Sequence, residues 1–120
     1  MANESAKCFI LSQDLMFSSQ AAGASSAAGF ATRNIQSAQQ VDGETPLVVL
    51  DLTIAGLDIG SIVSSLKEAN AKIVAVGPHV HAGKLELASQ SGCDAVLTKG
   101  QASRELGETL SALSKGEPQS

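Results

Sequence analysis

Four short apolar runs punctuate the chain: "CFIL" (Cys8–Leu11), "LVVL" (Leu47–Leu50), "IVAV" (Ile73–Val76) and "AVL" (Ala95–Leu97). Each is continuous rather than alternating, the pattern of a strand covered on both faces. "FATRNI" (Phe30–Ile35) is a weaker strand candidate, followed by the poorly patterned "QSAQQVDGE". Helical patterns fill the gaps. "DLMFSSQAAGASSAAG" opens on Asp14, a suitable N-cap, and is rich in alanine. "GSIVSSLKEAN" sets Ile62, Val63, Leu66 and Ala69 on one face. "AGKLELASQSG" contributes Leu85 and Ala88 and stops at Gly92, and "SRELGETLSALSKG" lines up Leu106, Leu110 and Leu113 before Gly116.

Strands alternating with helices predict a parallel sheet with right-handed crossovers. Five strands and about five helices fit one doubly wound domain spanning residues 1–120, with its core between about residues 7 and 114. Chemistry in such sheets lies beyond the carboxyl ends of the strands. The residues there are Ser12, Gln13 and Asp14 after the first run, Asp51 after "LVVL", Gly77 after "IVAV", and Thr98 and Lys99 after "AVL".

Composition narrows the picture. With no Trp, no Tyr and three Phe, the core must rest on Val, Ile and Leu. A net charge of −4 without a basic block argues against nucleic-acid binding. No apolar run approaches the length of a membrane span, and "MANESAK" lacks the apolar stretch of a signal peptide, which points to the cytoplasm. Cys8 and Cys93 have no CxxC spacing and read as free thiols. No GxGxxG or GxxxxGK[ST] loop follows a strand, so a nucleotide-binding role has no support. His79 and His81 form an HxH pair without a third histidine, and read as exposed loop residues rather than metal ligands.

The strand ends carry a more specific signal. "VVLDLTIAGLDIG" (Val48–Gly60) resembles the acceptor strand and loop of bacterial response-regulator receiver domains, and "GCDAVLTKG" (Gly92–Gly100) resembles their last strand with its lysine. The resemblance runs from about Lys7 to Ala112 and implies a flavodoxin-like sheet of five parallel strands in the order 2-1-3-4-5. In that family an aspartate attacks a phosphohistidine, a divalent ion held by an acidic pair and the acceptor offsets charge, and a lysine contacts the phosphoryl oxygens. The resemblance makes Asp51 the acceptor-like residue and Lys99 the phosphate-contacting one, the two close enough to pair. It makes Asp14 and Asp51 the remaining ligands for Mg2+.

The departures matter equally. The acidic pair falls at Ser12–Gln13 or Gln13–Asp14, and the second register is preferred because "DLMF" then opens the first helix. Either way neutral Gln13 replaces an acid. Gly77 stands where a hydroxyl residue is expected, Val96 where the switch aromatic is expected, and Gly100 where proline is usual. The expectation is a stand-alone, degenerate receiver without an output domain: not an enzyme, but a cytoplasmic signalling protein that binds another protein without regulated phosphorylation. The family's usual contact face carries Lys84, Glu86, Gln101, Arg104 and Glu108, a mixed polar set. The alternative is a working phosphoacceptor of a two-component phosphorelay, using Asp51 and Mg2+ with a histidine kinase as partner. A second alternative is an anti-sigma-factor antagonist-like domain, which opens with an antiparallel hairpin and in which Ser61 is the candidate phosphorylated serine.

Overall fold

The computed structural model describes residues 7–116. Its strands are β1 (Lys7–Leu11), β2 (Ala31–Ile35), β3 (Leu47–Asp51), β4 (Lys72–Gly77) and β5 (Ala95–Thr98). They form one sheet in the order β2-β1-β3-β4-β5, and every neighbouring pair is parallel. The antagonist-like alternative, with its antiparallel opening, is therefore not the fold of this chain.

The helices are α1 (Leu15–Ala27), α2 (Ile59–Glu68), α3 (Ala82–Ser91) and α4 (Lys99–Ser114). That is four among the described residues, against the expected five or so. Between β2 and β3 the chain makes only a 3-10 turn, Ala38–Gln40, capped by Ser37 and the Gln40 side chain. The eleven residues from 36 to 46 must climb back along the sheet as well as turn, which leaves no length for a full helix.

Continuous apolar strands bury both faces. One face of the sheet presents Phe9, Leu11, Val48, Leu50, Ile73 and Ala75 to Val63 and Leu66 of α2 and Ala88 of α3. The other presents Cys8, Ile10, Leu47, Val49, Val74 and Val76 to Phe17 of α1 and to Leu106, Leu110 and Leu113 of α4. The alternation along β1, β3 and β4 is the period of two that sends successive side chains to opposite faces. Helix starts and stops follow the sequence. The Asp14 carboxylate caps α1, Asp58 caps α2, and Gly92 ends α3 in a left-handed conformation (φ 110°).

Cys8 lies on β1 and Cys93 before β5, three strand spacings apart in this order, and both are free. Burial pushes the Cys8 thiol from its ordinary 9.0 up to about 11, opposed by its hydrogen bond to Ser25. Burial does the same at Cys93, also to about 11, with Lys67 opposing and Asp94 reinforcing. A raised thiol contributes stability that is full below about pH 9 and lost as pH climbs through about 11. At pH 8 the native thiolates are about 100-fold scarcer than those of an unfolded chain. Alkylation of the native protein is thus expected to be slower by about that factor, and denaturation without reductant should release two reactive thiols.

Candidate functional site

Asp51 ends β3 and is 1% exposed. An ionised carboxylate so far from water needs donors on its oxygens. They come from the two loops that flank it. Ser12 follows β1 and is itself buried; its hydroxyl donates to Asp51 Oδ2 at 2.6 Å. Thr53 donates to Oδ1 twice, from its backbone N–H at 2.9 Å and its hydroxyl at 2.7 Å. All three donors are electrically neutral.

Ser12 has a second task. Its oxygen accepts the Asp14 N–H at 3.0 Å. Asp14 then turns its carboxylate to the start of α1, where Oδ1 accepts from Met16 N at 2.9 Å and Phe17 N at 3.2 Å. This corrects the preferred register. Ser12, not Asp14, stands beside Asp51, and Asp14 is spent on the unpaired N–H groups of a helix N-terminus. Gln13 between them is exposed. The sequence already offered Asp14 as an N-cap, and that use excludes the second one assigned to it, since its Oδ1 is spent on the helix start.

Lys99 is also elsewhere. It begins α4 with its ammonium 5.2 Å from the centre of the Phe17 ring, a cation–π contact. Among the described residues no cationic side chain lies within the 4.0 Å of an ion pair to Asp51; the pairs present are Lys7–Asp42, Lys67–Asp94 and Arg104–Glu105. The expected Asp51–Lys99 pair is not formed.

The far side of the site is closed by packing. Leu52, directly after Asp51, is fully buried, and its N–H donates to Val76 O at 2.9 Å. A side chain added at Gly77 would place its Cβ 3.3 Å from both Cβ and Cδ1 of Leu52 and 3.5 Å from Leu85 Cδ2. Leucine thus lies against the point where the family's hydroxyl would project. Val96 of β5 pairs with Ala75 of β4 and packs, half-buried, into the core beneath α2 and α3. His79 and His81 are exposed in the loop before α3, and Ser61 is exposed on α2.

A receiver's Mg2+ asks for hard oxygen ligands, chiefly carboxylates. Here both Asp51 oxygens already accept hydrogen bonds, the residue beside them points an O–H at the carboxylate, and Asp14 holds a helix end. Among the described residues no cluster of three or more His, Cys, Asp or Glu side chains is placed to hold a metal ion. The donor set does not fit the cation.

No family model and no curated protein matches the chain. Solved structures do. The chain is similar to the BeF3-activated receiver domain of DrrB (TM-score 0.77, 12% identity, covering 92% of this chain and 98% of that one). It is also similar to a CheY-like response-regulator receiver domain protein from Methanospirillum hungatei (0.76, 13%, 94% and 96%). Full-length FixJ from B. japonicum matches over 97% of this chain and 61% of its own (0.77, 19%). The fold is that of the response-regulator receiver, a CheY-like member of the flavodoxin-like α/β class.

Two measurements test this geometry. Removing one partner of a buried ion pair costs about 3–5 kcal/mol, whereas losing a cation–π contact at a half-exposed lysine costs about 0.5–1 kcal/mol. Lys99→Met is expected to fall in the lower range in urea unfolding. Gly77→Ala is expected to destabilise by about 1–3 kcal/mol through overpacking. The tight contacts are with Leu52 Cβ and Cδ1, and Leu52→Ala removes the second of them. The double variant with Leu52→Ala should therefore cost less than the sum of the two single changes, a coupling that independent sites would not show.

Proposed function

We propose that this chain is a receiver-fold signalling module that acts by binding a partner protein, with the phosphorylation chemistry of Asp51 lost. One observation carries the proposal: the buried Asp51 is held entirely by neutral donors from Ser12 and Thr53. A carboxylate that attacks phosphorus must present a free oxygen lone pair outward. Three phosphoryl oxygens arriving beside it must meet cations and donors. Here three of the carboxylate's about four acceptor sites are taken by Ser12 and Thr53, Gln13 and Ser12 stand at the acidic-pair positions, and Lys99 rests on Phe17. Gly77 offers no hydroxyl to a transferred group, and Val96 offers no aromatic ring to turn in response.

Binding rather than catalysis also suits the surface near the site. The first turn of α1 exposes Leu15 (86%) and Met16 (72%), two adjacent large apolar side chains next to Gln13. Another signalling protein is the partner this surface fits, and no helix among the described residues is long and apolar enough to cross a membrane.

The test is the protein's mass after incubation with Mg2+ and a small-molecule phosphodonor. The expected result is no change, in the wild type and in Asp51→Asn alike. A gain of one phosphoryl group that Asp51→Asn abolishes would instead establish the phosphoacceptor reading, with a histidine kinase as the natural donor.

A further inference from the structure

The misfit between this site and a divalent cation leaves a question of charge. A receiver that lost its cation while keeping a buried acceptor carboxylate would be left with an uncompensated negative group, a costly arrangement. Yet no buried side-chain nitrogen or oxygen among the described residues lacks a hydrogen-bond partner. The carboxylate is satisfied, and the contact that links it to the rest of the fold is the 2.6 Å bond from Ser12.

Ser12 occupies its place by register. β1 and β3 pair in parallel with Leu11 opposite Leu50, so one step further along both strands brings Ser12 opposite Asp51. A hydroxyl there does for the carboxylate part of what a cation does: it presents positive charge at short range, as the polarised O–H proton. It also does something a second ionised carboxylate at this position could not do without a cation, namely sit at hydrogen-bond distance from Asp51 without repulsion. The same oxygen accepts the Asp14 N–H. One hydroxyl therefore joins the buried acid to the capped first turn of α1, whose Leu15 and Met16 are exposed.

We propose that Ser12 is a positioning residue that takes the place of the divalent cation at Asp51, so that the site and the start of α1 hold one arrangement whether or not Mg2+ is present. The proposal rests on the receiver-like reading of the site. It goes further in assigning to one residue the independence from metal, and in making that independence reversible by a single substitution. Replacing the hydroxyl with a carboxylate sets two acids side by side, which near neutral pH either repel, share a proton at a cost, or are reconciled by a cation.

The experiment is thermal unfolding of the full chain in chelator and in millimolar Mg2+, without any phosphodonor. Wild type is expected to unfold at the same temperature in both. Ser12→Asp should unfold earlier than wild type in chelator and regain about 5 °C or more in Mg2+. Ser12→Ala should lose about 5–10 °C in both media, because Asp51 keeps its burial and loses a donor. In that variant the Asp14 amide should also exchange with solvent faster than in wild type. A wild type stabilised by Mg2+ would overturn the proposal, as would a folded Ser12→Asp indifferent to it. Should Ser12→Asp fold in neither medium, Ser12→Ala decides: wild-type stability and unchanged Asp14 exchange overturn the proposal, while the paired losses support it. With the phosphodonor absent, the outcome is independent of the mass measurement. A protein can prove insensitive to Mg2+ and still acquire a phosphoryl group, or the reverse.

Discussion

The burial of one carboxylate constrains this structure more than any other single feature. Asp51 is 1% exposed, and its desolvation is tolerable only because three hydrogen bonds converge on it. Those donors come from the chain just after β1 and just after β3. Both strands must therefore end at the same height, in the register that sets Leu11 opposite Leu50. A slip of one residue would move Ser12 out of reach and send the apolar residues of β1 to the wrong faces. Core packing and the polar site thus demand the same alignment of the two central strands, and neither is free to vary alone.

Around that carboxylate, the neighbouring strand ends are given over to packing. Lys99 lies over the Phe17 ring on α1. Leu52 fills the space next to Gly77, and Val96 belongs to the core beneath α2 and α3. These packing choices are not independent. A lysine seated on Phe17 helps hold α4 to α1, and a buried Leu52 fixes the loop after β3 against the end of β4, where its N–H meets Val76 O. Local choices at separate strand ends agree with one another, as expected of a sequence whose levels are consistent. The site is well packed, and its parts support one another.

Much of the fold was legible because its signals are local. Continuous runs such as "LVVL" and "IVAV" can be strands only if both faces are covered, and Gly92 and Gly116 mark helix ends by the backbone conformations they permit. The strand order came through resemblance rather than pattern. What sequence misjudged were pairings across distance and competing uses of one residue type. Asp14 satisfies both the description of a metal ligand and that of an N-cap, and the helix claimed it. Lys99 meets Phe17 more than eighty residues away in sequence, a contact that no spacing announces. Ser12 was weighed as an alternative position for the acidic pair, but a serine gives no outward sign that its hydroxyl will carry a buried acid.

On the reading proposed above, the neutral site has a consequence for signalling. A ligand can shift a protein between two states only by the difference in its affinity for them. Phosphorylation supplies that difference in a receiver because the added charge pulls on a hydroxyl and a lysine, and an aromatic ring follows. Here Gly77 has no hydroxyl to be pulled, Lys99 already has an apolar seat, and Val96 is held in the core. Even a charge placed at Asp51 would find little to move. The surface beside the site, from Gln13 through Met16, is consequently tied to a single arrangement by the chain Asp51–Ser12–Asp14. A partner that docks there meets a preorganised surface and loses no affinity to a competing state. Control of such a protein then rests with how much of it is made and with the state of its partner, since the positions that carry a receiver's response, Gly77, Lys99 and Val96, are held here by packing.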